Sequence, residues 1–395
     1  MIVIRRKFLG LIAAAGVIFV VSLFGNYWVF RKIFYRIEDF FRKPKKLSAD
    51  IQRIAFEIPR GGYSVSVELA LNSRCTSDYD GNQCKFHWGM FDETKKLSDE
   101  QINRIVTLAK IPRFTDGRVE IRKKDNMLTF VIESEKAAIL NDWMMVESGM
   151  QQQAIGLVCA AMGVGVLFNN LGKDGTKFSS NVYGTVIIRI DAMKPSYNSS
   201  FWCSLAPIGR SPWIQGNLID PIRKGDVPLI SALENLTTER RSSKRLTEES
   251  ISQLLWAARG RTPHLYKSKP WGMTIPVWGG ESEISTVYLI KNGKLWKYLN
   301  WKRNRPTHSL LELKAVSIEI IDWLLDYFRF GESYIVLGRN DNHARALWEI
   351  GYQLFNLLVQ GYALGISYTS VLLNEEQKKM FSEIGIKEPV GVLAI

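Results

Sequence analysis

The sequence predicts an α+β chain of two related halves behind a single N-terminal membrane-spanning helix. Three observations carry that expectation: an uncharged apolar run near the N-terminus, two pairs of helical segments that recur in the same order, and a strand-turn-strand pattern beside them. The 395 residues suffice for two to three domains, at the usual ~150 residues each. With 46% hydrophobic and 11% aromatic residues there is material for sizeable cores, which excludes a mainly disordered or disulfide-stapled protein. A single span-length apolar stretch excludes a polytopic membrane protein. Lys+Arg 52 against Asp+Glu 39 leaves a net charge of +13. That balance favours anionic partners: nucleic acid, acidic lipid or a phosphate-bearing cofactor.

Residues Phe8 to Phe24 read FLGLIAAAGVIFVVSLF without a charge, and the apolar character continues from Tyr27 to Phe30. A helix of about 20 such residues crosses the hydrocarbon core with its backbone hydrogen bonds satisfied internally. Its extreme N-terminal position and basic flanks argue against a buried soluble helix. Orientation rests on two opposed signals. Arg31, Lys32, Arg36, Arg42, Lys43, Lys45 and Lys46 outnumber Arg5, Arg6 and Lys7, which would keep the body in the cytoplasm. Against this, Ile4-Arg5-Arg6-Lys7-Phe8-Leu9-Gly10 resembles a twin-arginine export signal. The export signal takes the greater weight, with a cytoplasmic body as the alternative. No small-x-small cleavage site follows the apolar run, so the span is expected to stay as an anchor. Residues 31–46 mix aromatic and basic side chains suited to an anionic lipid surface. Residues 1–47 are therefore taken as anchor (span about 8–30) and basic stalk.

The repeat comes next. The segments beginning at Trp143 and Trp348 align without gaps over their glycines: Gly149, Gln151, Ala161 and Gly163 correspond to Gly351, Gln353, Ala363 and Gly365, each 202 residues apart. Both are long apolar helical runs with interspersed small residues, which suit a close-packed helix pair at a two-fold or pseudo-two-fold interface. A second pair agrees. Ser98-DEQINRIVTLAK and Thr247-EESISQLLWAAR place Ile102, Ile105, Val106 and Ala109 against Ile251, Leu254, Leu255 and Ala258, at i, i+3, i+4, i+7. Ser98 with Gln101 forms a capping box, and Thr247 precedes Glu248 and Glu249 at a second helix start. Two matches in one order indicate a tandem duplication. The first half carries an insert from Cys75 to Asp92. A Pro-, Gly- and charge-rich stretch marks a linker, giving domains at 48–210 and 229–395 joined by 211–228.

The second half opens on Arg240-Arg241-Ser242-Ser243-Lys244, followed by the helix ending LLWAARG. Its late helix runs from Gly351 to Gly365 with Asn356 inside it. Together these resemble the nitroreductase family of FMN-dependent oxidoreductases, in particular the azoline-oxidising (thiazole and oxazole dehydrogenase) branch. The resemblance covers most of 229–395 and, more faintly, 58–200. It implies, in each half, a central, mostly antiparallel sheet wrapped by helices. It also implies that two subunits build each flavin site, so that a tandem chain is a covalent pseudo-dimer. Arg240, Arg241, Ser242 and Lys244 would hold FMN phosphate or ribityl oxygens, as closely spaced cations and hydroxyls can. The branch's Pro-Ser-Ala-Gly loop corresponds to Thr274-IPVWGG, which keeps Pro276, Gly279 and Gly280 but has Val277 and Trp278 in place of Ser and Ala. With Asn356 these complete the implied flavin-binding set. After the loop, Asn292-Gly293 sits at the turn of an expected hairpin.

The first half departs further. Asn72-Ser73-Arg74-Cys75-Thr76-Ser77-Asp78 keeps only Arg74 and Thr76 of the signature, and Asp78 stands where a cation is expected. An acid facing phosphate is repulsive. That half is expected to hold no FMN. Cys75 and Cys84 would pair only in an oxidising compartment. With His87 they match zinc spacings poorly, and His264, His308 and His343 are scattered, so no metal is expected. Dinucleotide, Walker and nucleophile-elbow motifs are absent, and the dispersed charge gives nucleic-acid binding no support. The expected function is a membrane-anchored, FMN-dependent two-electron oxidoreductase whose electron donor and substrate the sequence does not name. The alternative is a non-catalytic scaffold or binding subunit of a larger membrane complex.

Overall fold

The computed structural model describes residues 64–74, 77–80, 83–88, 97–116, 118–124, 127–133, 139–162, 164–169, 187–192, 204–205, 216–262, 264–265, 272–277, 283–302, 305–340 and 344–395. The expected span at 8–30 and its stalk lie outside the described residues. Among the described residues no helix is long and apolar enough to cross a membrane.

The first half runs α1 (Val67–Asn72), β1 (Ser77–Asp80), β2 (Gln83–Trp88), α2 (Asp99–Leu108), β3 (Arg118–Lys124), β4 (Met127–Glu133), α3 (Ile139–Ala161), β5 (Val164–Asn169) and β6 (Ile187–Ala192). A short β7 (Ser204–Leu205) follows. The second half runs α4 (Leu229–Glu234), β8 (Glu239–Arg240), α5 (Glu248–Arg259), β9 (His264–Leu265), β10 (Ser285–Lys291), β11 (Lys294–Lys302), β12 (Arg305–Ala315), α6 (Ile318–Phe328), β13 (Ser333–Arg339), α7 (Ala344–Leu364), β14 (Tyr368–Leu372), α8 (Glu375–Glu383) and β15 (Pro389–Ala394).

Local chemistry explains the element ends. Ser98 and Gln101 form the reciprocal capping box at α2, and the Thr247 hydroxyl accepts from Ser250 N at the start of α5. Asn292 and Gly293, both at positive φ (50° and 69°), close the two-residue turn between β10 and β11, matching the twist of the strands.

Among the described residues two large antiparallel sheets form, of order β1-β2-β5-β6-β4-β3 and β12-β11-β10-β13-β15-β14-β8, and the short β7 and β9 pair separately. The large sheets share a pattern. The strand leading into each long helix (β4, β13) pairs with the later strand (β6, β15), which pairs in turn with the strand leaving that helix (β5, β14). The insert's hairpin, β1 and β2, extends the first sheet beside β5. The second sheet is buried on both faces. Val287 and Leu289 of β10 enter the core shared with the first half, whereas Tyr288 and Ile290 pack under α6 and α8.

The helices α3 and α7 cross at glycine. A Cβ on Gly351 would lie 2.1 Å from Val146 O, and one on Gly149 would lie 2.5 Å from Trp348 O. The contacts are reciprocal, since 146 and 348 are 202 apart, like 149 and 351. One continuous core spans both halves. The linker is stitched into it: Val67 N donates to Val227 O (3.1 Å), Leu229 N to Val65 O (2.8 Å), and Gln253 bonds both N and O of Ile222 (2.7 and 3.0 Å).

Candidate functional site

The basic segment after β8 wraps the C-terminal end of α7. That helix stops at Gly365, whose φ of +68° lets its N–H return to Tyr362 O at 2.9 Å while Ile366 N returns to Gly361 O. Ser242 Oγ donates to Gly365 O (2.7 Å) and accepts from Lys244 N (3.1 Å). Lys244 Nζ donates to Leu364 O (2.7 Å). Cations are favoured at this negative end of the helix dipole. Arg241 pairs with Glu239 at 2.6 Å and lies over the Phe330 ring. Arg240 stacks its guanidinium 4.3 Å from the centre of the Tyr362 ring. Among the described residues no carbonyl or carboxylate accepts a hydrogen bond from that guanidinium. Arg241, Lys244 and Arg245 are exposed.

Pro276 and Asn356 sit elsewhere, at the seam between the halves. Asn356 is fully buried. Its Nδ2 donates to Ala257 O (2.8 Å) and Thr274 O (3.2 Å), and its Oδ1 accepts from Gln153 Nε2 (2.8 Å). Pro276 is buried in the segment that Asn356 holds. Gly279 and Gly280 lie outside the described residues. The structure thus gathers Arg240, Arg241, Ser242 and Lys244 at one end of α7, and Pro276 with Asn356 near its middle. Asn356 and Leu364 are eight residues apart, about 12 Å of helix rise.

The donor set of the first group has the chemistry a phosphate requires. One stacked guanidinium and three exposed cations lie within six residues. Arg240 and Lys244 fit that group. The Ser242 hydroxyl and the Asn356 amide already have their protons committed to main-chain carbonyls.

The seam holds functional-type side chains that the sequence reading passed over. Glu349, two residues before Gly351, accepts from Arg259 Nη1 (2.9 Å) and Ser285 Oγ (2.7 Å). Glu147 occupies the matching place before Gly149 and accepts from Phe114 N, Thr115 N and Thr115 Oγ1. Burial raises the Glu147 carboxyl above its ordinary value. The signal for both was present, because 147 and 349 fall in the same 202-residue alignment as the glycines. Arg74 and Arg223 are buried and Arg261 is half-buried, and desolvation lowers each to about 9. Burial pushes the Tyr298 phenol up, against the opposing pull of Arg223, Arg261 and Arg259.

Ser252, His308 and Tyr298 form a buried chain, with Ser252 Oγ 2.7 Å from His308 Nε2 and Tyr298 OH 2.8 Å from Nδ1. It is no nucleophilic triad. The Ser252 hydroxyl donates to Ile219 O, tying the linker to α5. Among the described residues no cluster of His, Cys, Asp and Glu could hold a metal ion.

Neither a protein-family model nor a curated protein matches the sequence. Among solved structures, a candidate nitroreductase from Ralstonia eutropha JMP134 is 23% identical and covers 45% of this chain and 86% of its own, at a TM-score of 0.34. Another, from Anabaena variabilis ATCC 29413, is 9% identical and covers 68% of each chain, at a TM-score of 0.42. At these scores neither likeness adds to the α+β architecture described above.

Proposed function

We propose that the chain is a membrane-anchored, FMN-dependent oxidoreductase of nitroreductase type, a tandem duplication whose halves form an intramolecular pseudo-dimer with one flavin site. The reciprocal crossing of α3 and α7 at Gly149 and Gly351 is the observation that carries the pseudo-dimer, since an isologous interface pairs residue i with j and j with i. The flavin would supply two-electron transfer through its ring. Arg240 and Lys244 would hold its phosphate, as the branch resemblance implies. Arg240 suits that role because its guanidinium is oriented on Tyr362 and has donors to offer. The residues at 8–30 would anchor the body to lipid.

A second reading is a non-catalytic scaffold or binding subunit of a membrane complex. One observation favours it: Ser242 and Lys244 cap α7, which gives the segment a structural reason to be basic.

Visible absorption of the detergent-solubilised protein, with flavin per chain after denaturation, separates the two. About one FMN per chain is expected. Two per chain would overturn the single-site pseudo-dimer. None, even after incubation with excess FMN, would sink the oxidoreductase and leave the scaffold.

A further inference from the structure

Arg74 is the remnant of the signature in the first half, yet its side chain is only 1% exposed. Its Nη1 donates to Met273 O in the second half at 2.8 Å. The residue after Met273 is held in the same way. Thr274 O accepts from Gln153 Nε2 (3.0 Å) of α3 and from Asn356 Nδ2 (3.2 Å) of α7. Two of these three clamping side chains therefore come from the other half of the chain. Thr262 closes the circuit, its hydroxyl donating to Arg74 O (2.9 Å) and its N–H to Gly272 O (3.0 Å). Thr274 N reaches back to Gly260 O (3.0 Å).

The counterpart of Arg74 in the second half, Arg240, is half-buried and stacked on a tyrosine. A guanidinium turned inward onto a main-chain carbonyl and only 1% exposed holds backbone and is out of reach of a solvent-borne anion. Charge-assisted donors to a carbonyl are among the stronger hydrogen bonds, and an amide donor to the neighbouring carbonyl fixes the peptide plane between them.

We propose that the first half serves as a brace. Arg74 and Gln153 are positioning residues that hold the backbone of Gly272–Val277. The degenerate half keeps a role through this segment rather than through a ligand of its own. The consequence for chemistry rests on the flavin reading above; the brace itself does not.

The test is hydrogen exchange on the full-length, detergent-solubilised protein carrying Arg74→Met, Arg74→Lys or Gln153→Met. The β10–β11 hairpin at 285–302 serves as internal reference. Arg74→Met is expected to speed exchange in the 272–277 segment by about tenfold while the hairpin stays unchanged. Arg74→Lys should restore much of the protection, because a lysine can still donate to Met273 O. Gln153→Met, which removes one neutral donor, should give a smaller effect in the same segment. Unchanged exchange at 272–277 in folded Arg74→Met or Gln153→Met protein overturns the proposal. If Arg74→Met loosens the whole chain, Gln153→Met decides: a local effect supports the brace, and a uniform one refutes it. Exchange needs no bound flavin, so a flavin-free wild type would sink the oxidoreductase and leave this result standing.

Discussion

Replacing Gly351 by alanine tests the crossing of α3 and α7 directly. The new Cβ would meet Val146 O at 2.1 Å and the Gly149 Cα at 2.9 Å. Ordinary contact begins near 3.4 Å, so the helices must part by roughly 1.3 Å at this point. Both obstructing atoms are backbone of the partner helix, and no rotamer change relieves them. Overpacking of this kind costs about 3 kcal/mol, while alanine gains about 1 kcal/mol over glycine in a helix interior. The net expectation is a loss of about 2 kcal/mol. Gly361→Ala on the same helix is the control. Its Cβ would meet only the Tyr368 ring, at 3.0 Å, which can move, so it should fall within about 1 kcal/mol of wild type. Urea midpoints of the two variants in one detergent give the comparison. The packing argument is refuted if Gly351→Ala unfolds at the same midpoint as Gly361→Ala. Gly149→Ala, facing Trp348 O at 2.5 Å, should reproduce the Gly351→Ala loss.

Three further outcomes follow from the structure. Glu68 is buried, accepts from Gln360 Nε2 at 2.7 Å, and is raised above 4.5 chiefly by burial, with Asp226 adding to the rise. Its stabilising contribution is therefore full below about pH 4.5 and is lost as pH rises through the folded-state value. Glu68→Gln should flatten that decline in the melting temperature, and an unchanged pH profile would exclude Glu68 as its source. Glu349→Gln leaves Arg259 buried without its ion-pair partner and should cost about 3–5 kcal/mol in chemical denaturation; a loss under 1 kcal/mol would contradict the pairing. Gly293→Ala meets no atom within 4 Å, so only its left-handed backbone matters. A loss of about 1–2 kcal/mol is expected, and a neutral result in the same assay would mean that the turn has another geometry.

The parts of the fold legible in the sequence are those set by neighbours along the chain. Ser98 with Gln101, Thr247 before two glutamates, and Asn292-Gly293 each satisfy backbone groups within three residues, so their roles survive without tertiary knowledge. The glycine alignment was equally visible, but its reason was not. Only the approach of Val146 O to Gly351 shows that these positions tolerate no Cβ. The third strand β12, which lengthens the second sheet beyond its hairpin, has no counterpart in the first sheet among the described residues and left no mark in the aligned segments.

The basic signature shows where residue identity stops being informative. Arg74 and Arg240 take the same place when the two signature segments are aligned, yet one is buried against Met273 O and the other lies on a tyrosine face. Sequence spacing describes which donors are present, whereas their chemistry depends on which acceptors reach them first. Ser242 makes the same point within the intact signature: its proton goes to Gly365 O, a carbonyl 123 residues away, because α7 ends there in a left-handed glycine. A hydroxyl has one proton, so a phosphate at this loop would have to be held by the guanidinium and ammonium groups unless Ser242 first let go of α7. Only binding that drew the Ser242 proton away from Gly365 O would loosen the end of α7. On that argument ligand affinity at Arg240 and stability of the α7 terminus are linked through Ser242. Ser242→Ala should weaken the terminus without removing the cations, which distinguishes a cap from a ligand residue.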